Sequence, residues 1–165
     1  MFRSQMNRWF AIQVRPQAEH MVAELLKYKG YETFLPMSRK RTSRTVRAEV
    51  PLFAGYVFCR VCTDSQGLIV TTPGVVRILG FGRDPEPIPD IEIDSLKRVI
   101  QTGLPMQDWP QMEAGERVRL TDGPLRGCEG VVKTINQENC VILSLTILRR
   151  SVMTRVAREW LAPAC

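Results

Sequence analysis

The sequence is short of the groups that chemistry needs. It holds one histidine, His20, and no serine or cysteine partner can be matched to it, so a nucleophile–base pair cannot be assembled. The glycines of LGFGRD, Gly80 and Gly82, are not followed by G-K-[ST] or by a helix, which excludes a phosphate-cradling loop. Five cysteines make an odd set. Cys59 and Cys62 form a single CRVC, while Cys128 and Cys140 stand too far apart to supply the second knuckle of a zinc site. On a strand, residues three apart point to opposite faces. These are therefore read as small structural thiols, reduced, with no metal and no cofactor. No apolar run approaches the ~20 residues of a membrane span. The first residues lack the long apolar core of a secretory signal, so the expected address is the cytoplasm, with no membrane partner.

What is present is a globular composition with a basic excess. Hydrophobic residues make up 44%, enough for a core, and the net charge is +6. A basic balance is compatible with a polyanionic partner without establishing one. The clearest break is TGLPMQDWPQM, residues 102–112, with two prolines, a glycine and only Asp108 charged. It reads as a linker between a domain at 1–101 and a smaller one at 113–165.

In the first domain WFAIQV (9–14) predicts a strand closed by Arg15-Pro16. Ala18, Met21, Val22, Leu25 and Leu26 then fall at helical spacing, with Gly30 at the expected C′ position. YETFLPM (31–37) and most of VPLFAGYVFCRV predict strands. Residues 65–73 predict a short helix, VVRILGF (75–81) another strand, and Pro89-Asp90 opens a helix through Ile100. The order β-α-β-β-α-β-α predicts an α+β domain, its antiparallel sheet flanked by helices. The second domain reads as all-β, with strands at 117–121, 129–135, 139–148 and 151–156. Four or five short strands in ~50 residues predict a small barrel.

Two clusters stand out. Arg39, Lys40, Arg41, Arg44 and Arg47 precede any acid until Glu49. They are either a solvated hairpin tip or a phosphate-backbone contact, with the intervening serine and threonines as further donors. The second is Leu52, Phe53, Tyr56, Val57 and Phe58 around Ala54-Gly55. Val57 reads as core. For Phe53 and Tyr56 two readings stand: core packing, or a concave apolar pocket for a partner helix.

With those residues in view, WFAIQVRP, LFAGYVF, TTPGVVRILGFG and PDIEIDSLKRVI resemble the N-terminal domain of the NusG/RfaH transcription elongation factors. GERVRLTDGPLRGCEGVV resembles the KOW motif that opens their SH3-like C-terminal barrel. The resemblance spans 9–101 and 113 to about 162. It implies a non-enzymatic binding protein whose N-terminal domain docks on the clamp helices of the largest RNA polymerase subunit. The family's F-P-G-Y segment is here Phe53-Ala54-Gly55-Tyr56, so Phe53 and Tyr56, with Leu52 and Trp9, are the implied polymerase contacts. Ala54 replaces the proline, and the lost fixed φ is expected to loosen the turn.

In the family, bridging the polymerase cleft favours its closed state and suppresses pausing or termination, which is differential binding of one conformer. The non-template DNA strand becomes the implied partner of Arg39–Arg47. The KOW barrel implies recruitment of Rho or a small-subunit ribosomal protein. The family's I-F-G-R is here Ile147-Leu148-Arg149-Arg150, so Ile147, Leu148 and Arg150 are its implied contacts, without the aromatic or the glycine. These departures point to a specialised antiterminator of particular operons. A barrel, rather than the helical hairpin some relatives adopt, is expected from the alternation in 139–148. The alternative from another class is an RNA- or ribosome-binding KOW protein that leaves polymerase alone.

Overall fold

The structure, a computed structural model, describes residues 7–41, 47–62, 66–81, 83–102, 106–110, 116–135, 138–145 and 150–164. It is a mixed α+β fold with antiparallel sheets and few helices. Its residues group into two compact units, Met1–Pro36 with Phe53–Ile93, and Met37–Leu52 with Asp94–Cys165.

The first unit is built on β1 (Asn7–Val14), α1 (Glu19–Tyr28), β2 (Glu32–Phe34), β5 (Tyr56–Cys62), the single turn α2 (Gly67–Val70) and β6 (Val75–Ile78). The strands pair antiparallel in the order β2-β5-β1-β6. A two-residue ladder, β7 (Gly80–Phe81) with β8 (Asp84–Pro85), follows, so the run expected as one strand over 75–81 is two. One sheet face presents Phe10, Ile12, Val14, Val57, Cys59 and Val61 to Val22, Ala23 and Leu26 of α1 and to Ile69 of α2. Adjacent Val22 and Ala23, with Leu26 one turn on, form an apolar stripe that meets a period-two face of the sheet, and that match fixes the helix on it. Met21, expected in the stripe, lies at its edge and stays 49% exposed. The helix ends in a Schellman motif. Gly30, at φ +92°, donates to the Lys27 carbonyl at 3.0 Å and Tyr31 donates to that of Leu26 at 3.1 Å, so two orphan carbonyls are satisfied.

The second unit contains the hairpin β3 (Met37–Arg41) with β4 (Arg47–Pro51) and a six-stranded antiparallel sheet. That sheet comprises β9 (Met106–Pro110), β10 (Glu116–Leu120), β11 (Glu129–Ile135), β12 (Glu138–Leu145), β13 (Arg150–Arg155) and β14 (Leu161–Pro163). Its order is β14-β10-β11-β12-β13-β9. The core gathers Val118, Leu120, Leu125 and Cys128 around Val99 of α3 (Asp90–Gln101), with Val132, Val156, Trp160 and Leu161 packed on it. Four of these strands answer to sequence expectations. Two do not: β14, and β9, which lies inside the segment expected as a linker and pairs with β13 from Met106 to Pro110. The unit boundary falls inside α3 rather than in 102–112.

Candidate functional site

The face of the first unit's sheet that turns away from α1 carries an aromatic and charged layer. Trp9 lies opposite Arg60, Ala11 opposite Phe58 and Gln13 opposite Tyr56. On β2, Glu32 faces Arg60 and Phe34 faces Phe58. Alternation puts all of these on one side. Phe58 is the hub: its ring sits 6.1 Å from Phe34, tilted, and 6.3 Å from Phe53 at 83°, edge to face. That geometry suits the ring quadrupoles and adds ~0.5–1.5 kcal/mol per pair beyond burial. The Arg60 guanidinium lies 5.9 Å from the centroid of the Trp9 ring and is held by Glu32 at 3.6 Å and Asp90 at 3.5 Å. At the other end of the layer, Arg77 Nε donates to Gln13 Oε1 at 2.8 Å.

The chain enters β5 through the turn Phe53-Ala54-Gly55-Tyr56. Tyr56 N–H donates to the Phe53 carbonyl at 3.3 Å, and Gly55 has φ +85°. Positive φ at the third residue is the signature of a type II turn and requires glycine there. The Gly55 carbonyl accepts from Val14 N–H at 2.9 Å. Its N–H donates to Glu19 Oε1 at 2.7 Å. Glu19 opens α1 and is only 5% exposed.

Of the four residues expected to meet polymerase, three are interior: Trp9 and Phe53 are 2% exposed and Leu52 is 6%. Tyr56 is half-buried and keeps surface to give. The arrangement is therefore a packed aromatic layer with Tyr56 at its margin, rather than an open pocket walled by Phe53 and Tyr56. Phe53 props Phe58 from the turn.

The basic run folds as the β3–β4 hairpin, with Arg39 opposite Glu49, Lys40 opposite Ala48 and Arg41 opposite Arg47. Arg39 Nε sits 3.6 Å from Glu49 Oε1, both side chains largely exposed. Arg39 thus has an acid across from it. Arg44 lies outside the described residues, as do Ile147 and Leu148, while Arg150 is placed by its backbone as the first residue of β13.

Cys59 is fully buried on the α1 side. Burial, reinforced by the Glu32 charge, pushes its thiol from an ordinary 9.0 up to about 12. Cys62 lies across the strand and donates from Sγ to Asn7 Oδ1 at 2.9 Å. Among the described residues no three His, Cys, Asp or Glu side chains come together as a metal site. His20 is exposed on α1.

Sequence reasoning passed over Glu19 and Arg60. The signal for Glu19 was available: it sits at i−3, i−4 and i−7 from Val22, Ala23 and Leu26, a carboxylate on an apolar stripe. Arg60 similarly interrupts an apolar strand.

Comparison with known proteins gives the layer a context. The family NusG, described as transcription termination factor nusG, matches residues 7–97. The chain is 29% identical over 168 residues to the transcription termination/antitermination protein NusG of Buchnera aphidicola, covering 92% of this chain and 93% of that one. It is 34% identical over 116 residues to the protein of that name from Pseudomonas aeruginosa, covering 67% and 66%. Against the Escherichia coli protein it is 28% identical over 162 residues, covering 88% and 90%. Among solved structures, that of Thermotoga maritima NusG, reported for its domain interaction, superimposes with a TM-score of 0.61 at 18% identity, covering 97% and 98%. At that identity the likeness speaks for the fold.

Proposed function

This chain belongs to the NusG family, and on that premise we propose that it is a transcription elongation and antitermination factor that docks on RNA polymerase. The family is one of non-enzymatic transcription factors, and the names of these relatives carry both termination and antitermination. The docking partner is the pair of clamp helices on the largest polymerase subunit. The contact is Tyr56, presented at the margin of the Phe34–Phe53–Phe58 layer by the turn that begins β5. Binding there bridges the polymerase cleft and favours its closed state, because a ligand shifts a two-state equilibrium only by its differential affinity. Pausing and termination are thereby suppressed, in the cytoplasm, on particular operons.

The observation that carries this reading is the pairing of a half-exposed Tyr56 with a turn fixed by three hydrogen bonds to Phe53, Val14 and Glu19. A side chain that serves only the core needs no such presentation. In the same reading residues 1–101 are the polymerase-binding domain and 113–165 form a KOW barrel from β10 to β14, with 102–112 joining the two and adding β9 at the sheet's edge. Arg39, Lys40, Arg41, Arg44 and Arg47 run along the non-template strand. Ile147, Leu148 and Arg150 face Rho or a small-subunit ribosomal protein. Among the described residues no helix is long and apolar enough to cross a membrane.

The test is a titration of the full chain against core RNA polymerase of its own host. Truncating an anchoring aromatic costs about 2 kcal/mol, roughly 30-fold in affinity, so Tyr56→Ala should weaken binding by that factor while leaving the melting temperature near wild type. Equal affinity of the two forms would remove Tyr56 from the contact. Polymerase left unbound, with RNA bound through the basic hairpin, would replace the reading with that of an RNA-binding KOW protein.

A further inference from the structure

We propose that Glu19 is the positioning residue of the docking turn, doing through a carboxylate what a proline at position 54 would do through its ring; this rests on the docking reading above. The turn needs a restraint because Ala54 leaves φ free where a pyrrolidine ring would fix it near −65°. Gly55, at φ +85°, adds its own freedom, since glycine populates both signs of φ about equally. A β-carbon at Gly55 would meet nothing closer than the Val14 carbonyl oxygen at 3.7 Å, so space does not lock the turn. Hydrogen bonds do.

Two of the three bonds are backbone to backbone, with the Tyr56 N–H to Phe53 contact long at 3.3 Å. The third, from Gly55 N–H to Glu19 Oε1, is 2.7 Å and comes from a residue 36 positions away. A bond to an ionised acceptor is about twice as strong as a neutral one. Glu19 is also hard to explain as a helix cap or surface charge. It is 5% exposed in the first turn of a helix whose N-cap, Ala18, makes no side-chain hydrogen bond. A buried carboxylate is costly unless it is hydrogen-bonded, and the Gly55 amide is the partner it has. Glu19 also sits one turn before Val22 and Ala23, which seat α1 on the sheet. The carboxylate therefore references the turn to the rigid core, and with it the orientation of Tyr56 and the edge-on ring of Phe53.

Four forms of the full-length chain test this: wild type, Glu19→Ala, Glu19→Gln, and Glu19→Ala combined with Ala54→Pro. The first measurement is amide hydrogen exchange of the free protein by NMR. Loss of a charge-assisted bond should speed exchange at Gly55 by about tenfold or more, with the β1–β5 ladder amides of Ile12 and Val57 unchanged. The second is affinity for core polymerase, where Glu19→Ala should lose about tenfold. Glu19→Gln keeps an acceptor oxygen and should stay within about threefold of wild type. The proline, which restores the fixed φ by a different route, should recover most of the loss in the double variant. Exchange at Gly55 that ignores Glu19, or faster exchange spread through the whole sheet, would overturn the proposal. So would a double variant that binds no better than Glu19→Ala. If even wild type fails to bind polymerase, the docking reading falls, and exchange at Gly55 alone decides the role of Glu19.

Discussion

Cys59 shows how one side chain's environment sets its chemistry. The thiol sits in the core between α1 and the sheet, where a thiolate would be stripped of water and placed near the Glu32 carboxylate. Both effects favour the neutral form, and desolvation is the larger. A folded-state pKa of about 12 against an ordinary 9.0 means that the folded chain holds this proton more tightly than the unfolded one. The associated stability is fully present below pH 9 and is lost as pH rises from 9 towards 12. The expected outcome is that iodoacetamide at pH 8 spares Cys59 in the native protein and modifies it in urea. Mass spectrometry of the tryptic peptides checks this, and native labelling of Cys59 would show that the burial is transient. Cys59 and Cys62 face opposite sides of β5, as alternation demands.

At the scale of elements, the strands that the sequence revealed are those whose burial is local in pattern. β1 and β5 read as strands because bulky residues fill both faces, and α1 because its apolar stripe runs at helical spacing. β9 was hidden because Met106–Pro110 carries aspartate, tryptophan and proline, and is a strand only through its ladder to β13, some forty residues on. The Glu19–Gly55 bond was hidden for the same reason, since a contact across 36 residues leaves no periodic trace. The β3–β4 hairpin was legible as a charged hairpin tip, but the register that sets Glu49 across from Arg39 was not. The Arg39–Glu49 ion pair across it is exposed, so it contributes little to stability, on the order of 0–1 kcal/mol, yet it offsets one of the cations proposed to meet phosphate. Glu49→Ala should therefore leave the melting temperature nearly unchanged and tighten binding to single-stranded DNA. It should also steepen the dependence of log affinity on log salt by about 0.7 for one added phosphate contact. Fluorescence anisotropy across a salt series reads both. An unchanged slope would take the hairpin off the nucleic acid.

For the whole molecule, composition and packing divide the chain at different places. Composition puts the break at 102–112, where prolines gather and charge thins. Packing puts Val99, fully buried, in one core with Val118, Leu120, Leu125 and Cys128, and puts β9 on the edge of the six-stranded sheet. A fragment beginning at residue 113 loses both. The buried valine alone is worth ~1.5–3 kcal/mol, and the five-residue ladder to β13 leaves that strand an open edge, which invites association with other chains. A fragment of 94–165 retains both features. In urea denaturation followed by circular dichroism, 94–165 should therefore unfold at a clearly higher midpoint than 113–165, and 113–165 should show the greater tendency to associate in sedimentation. Because domains of ~50 residues sit near the lower limit of independent folding, a deficit of this size separates a folded fragment from a largely unfolded one. Equal midpoints would mean that Val99 and β9 decorate a sheet that is complete without them, and that the composition break is also the folding boundary.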